Sequence, residues 1–243
     1  MASPRFFYEN PAISWKFYED RRQKALRAQP NAGHRAIAEL ACRNERVFTI
    51  TQNIDGALLY PKFVCVRLQG VELSDRAGHP SARLVSLHGS LFDVKCSSEE
   101  CNYSTTNYSP EPTFSEPRRE VVGPSGYGIR TDDIEIPFCP SCGYGLLRPG
   151  VVWFGEKLPH GYLERIDHWF ESVEHIDVIM VVGTEALVQP AASYIHRAAE
   201  RGARVMYFNK TRLRPDQQEE MDEIDIFVQG NVAESLPSLI GHS

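Results

Sequence analysis

Four cysteines stand in two closely spaced pairs, Cys96 with Cys101 and Cys139 with Cys142. Each pair can bind one side of a tetrahedral ion, and four thiolate ligands leave no coordination position for a substrate. The pattern therefore predicts one structural Zn2+ per chain rather than a catalytic metal. Disulfides are the alternative, but nothing in the sequence marks a secreted chain, and a chain of 243 residues does not need cross-links to fold.

A further candidate for chemistry is His88, which follows the apolar run at residues 84–87 and precedes Gly89. An imidazole titrates near neutral pH, so it suits a general base. The adjacent glycine lets another backbone or a ligand approach closely. A histidine at the end of a strand is more often a hydrogen-bonded surface residue, so His88 alone does not indicate catalysis.

The elements that must position these residues alternate between helices and strands. Apolar residues at helical spacing, with Asn31 as a cap, predict helices over residues 11–28, 31–42, 161–172, 191–201 and 232–240. Short apolar runs predict strands at residues 47–50, 84–87, 178–182, 204–208 and 224–228. Strands that alternate with helices predict an α/β fold with a parallel sheet covered on both faces.

Two stretches depart from this alternation. Residues 103–137 are rich in Ser, Thr, Pro and Gly, which favours loops and small antiparallel elements held together by the flanking cysteine pairs. Residues 151–154 are extended in character. Parallel α/β sheets bind ligands beyond the carboxyl ends of their strands. Polar residues or glycine stand at four such ends: Gln52 with Asn53 and Asp55, His88, Gly183 with Thr184, and Asn209. These residues form the predicted ligand site.

Composition limits the classes of partner. The net charge of −6 argues against a nonspecific polyanion binder, so we expect no direct binding to nucleic acid. No apolar run approaches the ~18 residues of a membrane span, and residues 1–10 lack the apolar region of a signal peptide. We therefore expect an intracellular chain without a membrane partner. We also expect a monomer, in the mitochondrion or in the cytoplasm and nucleus, although composition does not decide either point.

Six groups of residues, in chain order, resemble the motifs of the sirtuin family. They are residues 51–55, residues 88–90, the four cysteines, and residues 151–156, 182–184 and 208–209. The resemblance covers nearly the whole chain. It implies a Rossmann-like domain over residues 1–92 and 147–243, with a small zinc-binding module inserted over residues 93–146. It also implies an NAD-dependent protein lysine deacylase, which acts on acylated-lysine proteins or peptides and gives nicotinamide and O-acyl-ADP-ribose.

The resemblance also implies roles for individual residues. His88 is the expected general base, which takes a proton from a ribose hydroxyl of NAD. The residues expected to pair with the substrate backbone as an added strand are Val152, Trp153, Phe154 and Gly155. The residues expected to bind NAD are Gln52, Asn53, Ile54, Asp55, Gly183, Thr184, Glu185, Asn209, Lys210, Thr211 and Val232.

Tyr18 and Arg21 resemble the Tyr-x-x-Arg motif of class III sirtuins, the desuccinylase and demalonylase type. The two residues lie three apart, on one face of a predicted helix. A guanidinium and a phenol suit the distal carboxylate of a short dicarboxylic acyl group. Succinyl-, malonyl- or glutaryl-lysine is therefore the expected substrate in preference to acetyl-lysine. The alternative is that Arg21 is one of several surface arginines.

Three features depart from the family pattern. The glycine-rich loop that binds the NAD pyrophosphate has no counterpart, and we expect it upstream of Met1. Residues 56–71 separate Asp55 from a Glu-Leu-x-x-Arg-Ala-Gly motif at residues 72–78, which suggests a translated intron or, alternatively, a surface loop. Glu185 replaces the usual serine, and its carboxylate would repel a phosphate. These departures leave a second interpretation, in which a truncated sirtuin binds acylated peptides as a zinc-stabilised module without turnover.

Overall fold

A computed structural model of the protein describes residues 2–58, 78–113 and 136–240. In these residues the chain forms two compact units. Unit 1 draws on residues 1–28, 53–56 and 88–158, and unit 2 on residues 29–52, 57–87 and 159–243. The predicted domain boundaries, residues 1–92 with 147–243 against residues 93–146, divide the chain differently and stay a prediction. Most of the predicted insertion at residues 56–71 lies outside the described residues.

Helices and strands follow one another along the described residues. The helices are α1 Pro4–Glu9, α2 Pro11–Arg27, α3 Ala32–Arg43, α4 His160–Ser172, α5 Ser193–Ala199, α6 Pro215–Glu219 and α7 Val232–Ile240. The strands are β1 Thr49–Thr51, β2 Leu84–Ser86, β3 Gly89–Cys96, β4 Ser104–Thr106, β5 Leu147–Val151, β6 Val178–Val182, β7 Arg204–Asn209 and β8 Ile226–Gln229. None of these helices combines the length and the apolar character needed to cross a membrane.

Unit 1 is built on a three-stranded antiparallel sheet of order β4-β3-β5. Helix α2 packs against β3 and β5, and α1 packs against α2. The indole N–H of Trp15 on α2 donates to the Leu147 carbonyl oxygen of β5 at 2.9 Å. The buried core is largely aromatic and includes Phe7, Trp15, Tyr18, Phe92 and Trp153. Packing of these rings therefore fixes the helix that carries the predicted acyl-binding residues to the sheet.

Unit 2 contains the parallel strands that the sequence predicts. β1 pairs with β2, while β6, β7 and β8 form a second parallel sheet in that order. Helix α5 packs against β6 and β7, α7 against β7 and α3, and α4 against β2. Asn31 caps α3 as predicted, because its side-chain oxygen accepts a hydrogen bond from the His34 amide at 3.1 Å. The predicted α/β fold with a Rossmann-like parallel sheet and covering helices is confirmed.

Strands β3 and β5 are absent from the sequence-based prediction. β5 contains Pro149 and Gly150, which disfavour strands, and it forms because β3 pairs with it from a distant part of the chain. A Cβ atom at Gly89 would collide with the Gly150 carbonyl oxygen, so the close approach of the two strands requires glycine there. Residues 151–154 are not one extended run. The strand ends at Val151, and the amide of residue 156 donates to the carbonyl of residue 153 to close a turn.

His79 makes the stability of unit 2 depend on pH. Its imidazole is buried, with Nε2 2.7 Å from the Thr49 hydroxyl and Nδ1 3.0 Å from the Pro80 carbonyl oxygen. Burial lowers the pKa of His79, the Pro80 carbonyl opposes this, and the positive charge of Arg83 lowers the pKa further. Because the folded pKa lies below that of the unfolded chain, the unfolded state binds more protons as the pH falls. This contribution to stability is complete above about pH 6.5 and is lost below it.

We expect the His79→Gln variant to lose this pH dependence. Between about pH 7.5 and pH 5.5, the wild-type protein should lose up to about 1.4 kcal/mol more unfolding free energy than the variant. Urea unfolding at the two pH values measures the difference. His168 is exposed on α4, so His168→Gln should behave as the wild type. An unchanged pH dependence in His79→Gln would contradict this role for His79.

Candidate functional site

The four predicted metal ligands lie together in unit 1. The sulfur atoms of Cys96, Cys101, Cys139 and Cys142 are all within 4.8 Å of one another. Cys96 Sγ is 3.7 Å from Cys142 Sγ, and Cys101 Sγ is 3.8 Å from Cys139 Sγ. A Zn–S distance of about 2.3 Å places the sulfur atoms of a regular tetrahedron about 3.8 Å apart. The cluster therefore has the donor type, number and spacing of a structural zinc site.

The backbone around the cluster also suits thiolate ligands. The Ser98 amide donates to Cys96 Sγ and the Gly145 amide to Cys142 Sγ, each at 3.4 Å. Hydrogen bonds from the backbone of Tyr144 and Gly145 lower the pKa of the Cys142 thiol to about 7. A Cβ atom at Gly145 would lie 2.5 Å from Cys96 Sγ, so only glycine leaves room for this sulfur. These backbone hydrogen bonds favour the charged form that binds zinc, although burial raises the pKa of the Cys96 thiol.

His88 stands immediately before β3, with its backbone fixed on the β5 side. The Val152 amide donates to the His88 carbonyl oxygen at 2.9 Å, directly beyond the point where Gly89 pairs with Val151. The imidazole is half-buried. Unit 1 thus brings the predicted general base next to the first residue of the predicted substrate segment, residues 152–155.

The predicted turn at residues 53–55 lies against the same strand. The Leu91 amide of β3 donates to the Ile54 carbonyl oxygen at 2.9 Å. Gly56, which follows Asp55, has a φ of 65°, and a Cβ atom there would be 2.8 Å from the Phe92 ring. The glycine therefore lets the chain leave the turn close to β3. Asn53, Ile54 and Asp55 share unit 1 with His88.

In unit 2, three other predicted NAD-binding residues meet at the carboxyl ends of β1, β6 and β7. The Thr184 hydroxyl accepts from Gln52 Nε2 at 3.3 Å, and the Thr184 carbonyl oxygen accepts from Asn209 Nδ2 at 3.2 Å. Gly183 has a φ of 63°, and among the described residues, its two chain neighbours aside, no atom lies within 4 Å of the position that a Cβ would take. Polar groups beside an open glycine at strand ends fit the binding of a dinucleotide.

The remaining predicted cofactor residues of unit 2 make other contacts. The Glu185 carboxylate is exposed, while its backbone carbonyl accepts from Arg214 Nη1 and, at 3.2 Å, from Gln217 Nε2. The Lys210 carbonyl oxygen accepts from Gln229 Nε2 at 3.4 Å. Thr211 is exposed, and Val232 begins α7 beside α3. Arg214 and Gln217 could not be predicted as neighbours of this site, because no sequence motif marks a donor that binds a backbone carbonyl.

Tyr18 and Arg21 occupy different environments on α2. Tyr18 is only 4% exposed, and its ring centroid lies 6.1 Å from that of Trp153. Burial raises the pKa of Tyr18, and the charges of Arg148 and Arg21 partly oppose this rise. Arg21 is exposed, with its guanidinium 3.2 Å above the Phe17 ring and Nη1 3.1 Å from the Phe17 carbonyl oxygen. The phenol is therefore held in the core, while the guanidinium stays on the surface of the helix.

The predicted substrate segment already makes backbone hydrogen bonds within the chain. The Val152 amide donates to His88, the Trp153 amide to the Glu156 carboxylate at 2.7 Å, and the Phe154 amide to Ala2 at 3.1 Å. The Phe154 side chain is 78% exposed. Pairing with a substrate strand at this segment would therefore use its carbonyl groups or replace the contact with Ala2.

Comparisons with known proteins agree with these features. A model of the Sir2 family matches residues 1–190. An NAD-dependent protein deacylase of Candida albicans is 37% identical over 237 residues, covering 86% of this chain and 72% of the relative. An NAD-dependent protein deacylase of Thermococcus kodakarensis is 35% identical, covering 99% of this chain and 77% of the relative.

Two further comparisons concern another relative and a solved structure. The mitochondrial NAD-dependent protein deacylase sirtuin-5 of Canis lupus familiaris is 36% identical over 86% of this chain, which spans 62% of that relative's length. A crystal structure of a Sir2 homologue with NAD superposes on 99% of this chain and 75% of that one, with a TM-score of 0.71 and 32% identity. Because the family model covers most of the chain and these relatives align with 86–99% of it, the chain belongs to the Sir2 family.

Proposed function

We propose that this protein removes acyl groups from protein lysines in an NAD-dependent reaction that gives nicotinamide and O-acyl-ADP-ribose. Family membership supports this function, since relatives that align with 86–99% of the chain are named NAD-dependent protein deacylases. The structural observation that carries it is the 2.9 Å hydrogen bond between Val152 and His88. This bond joins the backbone of the proposed general base to that of the proposed substrate segment.

NAD supplies the ribose to which the acyl group is transferred, with nicotinamide as the leaving group. The role of His88 is to accept a proton from a ribose hydroxyl on its imidazole ring. Asn53, Ile54 and Asp55, held on β3 beside His88, would bind the nicotinamide–ribose end. The Thr184 network with Gln52 and Asn209 would bind the rest of the dinucleotide through hydroxyl and amide groups. Zinc at the four cysteines would hold the module together and take no part in proton transfer.

We propose succinyl-, malonyl- and glutaryl-lysine as the preferred substrates. A distal carboxylate needs a cation and a hydrogen-bond donor, and Arg21 and Tyr18 supply them from one helix. The exposed Arg21 guanidinium can leave the Phe17 ring by rotation of its own side chain, because its contacts with the described residues are that ring and one carbonyl of its own helix. A mitochondrial location fits the name of one relative, sirtuin-5. We further propose that the protein acts as a monomer on acylated-lysine proteins.

The test of the function is an incubation of the zinc-loaded protein with acetyl-, succinyl-, malonyl- and glutaryl-lysine peptides, with and without NAD. We expect one nicotinamide released per deacylated peptide, and no deacylation without NAD. The alternative function is that of a zinc-stabilised module that binds acylated peptides without turnover. Glu185 favours this alternative, because its carboxylate would repel a phosphate. Peptide binding with no nicotinamide release in any mixture would select this alternative.

We expect the Arg21→Met variant to lose preference for acidic acyl groups. Loss of a charge-assisted hydrogen bond, at about 1.5–3 kcal/mol, should lower kcat/KM for succinyl-lysine about 10- to 100-fold. The value for acetyl-lysine should change less than about threefold. Arg27→Met removes another exposed arginine of the same helix and should alter neither value. Equal losses on both substrates would argue that Arg21 is only a surface residue.

A further inference from the structure

A largely buried ion pair in unit 1 is hydrogen-bonded to the backbone at Val151 and Trp153, at the start of the substrate segment. The Arg148 side chain on β5 is 6% exposed, and its guanidinium binds both carboxylate oxygens of Glu156, at 3.0 Å for the Nη2–Oε2 contact. Arg148 Nη2 also donates to the Val151 carbonyl oxygen at 2.9 Å. Arg148 is the lone charged residue between residues 143 and 155, a stretch that is otherwise apolar or small. The pair therefore brackets the segment, with one partner before it and the other after it.

The same two side chains determine how the segment turns. Glu156 Oε2 accepts from the Trp153 amide at 2.7 Å, and the Glu156 amide donates back to the Trp153 carbonyl at 3.0 Å. The Arg148 guanidinium stacks on the Trp153 indole at 3.4 Å from the ring centroid. Trp153 is thereby 2% exposed and packed against Tyr18, while the next side chain, Phe154, points outward. The ion pair fixes which side of the segment faces the core.

A third charged side chain, Lys95, lies close to this ion pair. Lys95 on β3 is directly opposite Arg148, and like charges in opposed positions destabilise a sheet. Glu156 Oε2 lies 4.0 Å from Lys95 Nζ, so one carboxylate offsets two cations. Burial raises the pKa of Glu156, but hydrogen bonds from Arg148 and the Trp153 amide outweigh it and hold the net pKa below its ordinary value. Apolar side chains could fill this space at least as stably, so stability alone does not explain the pair.

We propose that Arg148 and Glu156 are positioning residues that set the backbone of residues 152–155 for the acylated peptide. This inference rests on the proposed function. Arg148 and Glu156 bind each other and the backbone at Val151 and Trp153. They act through the Trp153 amide, the Val151 carbonyl and the indole beside Tyr18. Loss of either partner frees the turn at Trp153. The backbone of residues 152–155 is then no longer held in the conformation that binds the peptide and its acyl group.

The test compares Arg148→Lys, Glu156→Gln and the double variant with the wild type. Lysine keeps the charge but cannot bind both carboxylate oxygens or stack in the same way. We expect KM for the acyl peptide to rise about 10- to 100-fold in each single variant, with little further rise in the double variant. KM for NAD should change less than about twofold. Hydrogen exchange at the Trp153 amide should accelerate in all three variants.

Arg197→Lys is the matched control, because Arg197 in unit 2 also binds a carboxylate, Asp167, and stacks on an aromatic ring, Phe170. It should leave the peptide KM unchanged. Equal effects on the KM of peptide and NAD, additive losses in the double variant, or unchanged exchange at Trp153 would overturn the inference. Absence of turnover in the wild type would refute the proposed function instead. In that case, Trp153 exchange and direct peptide binding would still decide whether the pair positions the segment.

Discussion

Replacement of His88 by asparagine is expected to lower kcat for deacylation by about 10²- to 10⁴-fold, the usual contribution of a general base. Asparagine can still donate and accept hydrogen bonds, but it cannot take up a proton at neutral pH. The backbone on both sides of the residue is fixed by bonds that the substitution leaves in place. The Leu87 amide donates to Thr51, and the His88 carbonyl accepts from Val152, each at 2.9 Å. The loss should therefore appear in the chemical step with the fold intact.

The measurement is nicotinamide release at saturating NAD and peptide, together with zinc content and thermal unfolding. We expect the His88→Asn protein to retain one zinc and the wild-type midpoint of unfolding while losing turnover. His168→Asn, at an exposed position on α4, serves as the matched control and should keep full activity. Wild-type turnover in His88→Asn would assign the proton transfer to another group. Loss of zinc or of the fold would show a structural role instead.

Elements with a local sequence signal could be predicted from the sequence, and elements made by distant pairing could not. β6 and β7 are continuous apolar runs, and α3 carries its own cap at Asn31, so their positions follow from neighbouring residues. β5 is different. It includes Arg148, Pro149 and Gly150, which give no strand signal, and it forms only because β3 lies beside it.

The same distinction applies to the candidate site. The four cysteines could be predicted because zinc ligation requires a short spacing, and their sulfur atoms do cluster. Thr184, Gln52 and Asn209 come together because strand ends in a parallel sheet share one edge. By contrast, Arg148 and Glu156 are paired across a turn whose geometry no pattern encodes. The lone charge of Arg148 in an apolar stretch is the one signal that could have indicated it.

Removal of zinc should strongly reduce amide protection in unit 1. Phe138 and Tyr144, which stand next to Cys139 and close to Cys142 in the chain, are 62% and 58% exposed, so these two side chains add little packing around the cluster. Backbone bonds such as Ser97 to Leu146, at 2.8 Å, join strand ends that the thiolates hold in place. Zinc binding supplies about 10–16 kcal/mol in small modules of this kind, and that energy is folding energy.

We therefore expect the Cys139→Ser variant to bind much less than one zinc per chain and to lose amide protection over residues 137–147 by at least about 100-fold. The β6-β7-β8 sheet of unit 2 should exchange as in the wild type, because its strands pair with one another. Ser98→Ala is the matched control, since the backbone N–H that donates to Cys96 Sγ remains. Metal analysis and hydrogen exchange measure both effects, and chelation of the wild type should reproduce them. If zinc-free protein kept full protection over residues 137–147, the packing of the module rather than its thiolates would hold it together, and the metal would not be structural.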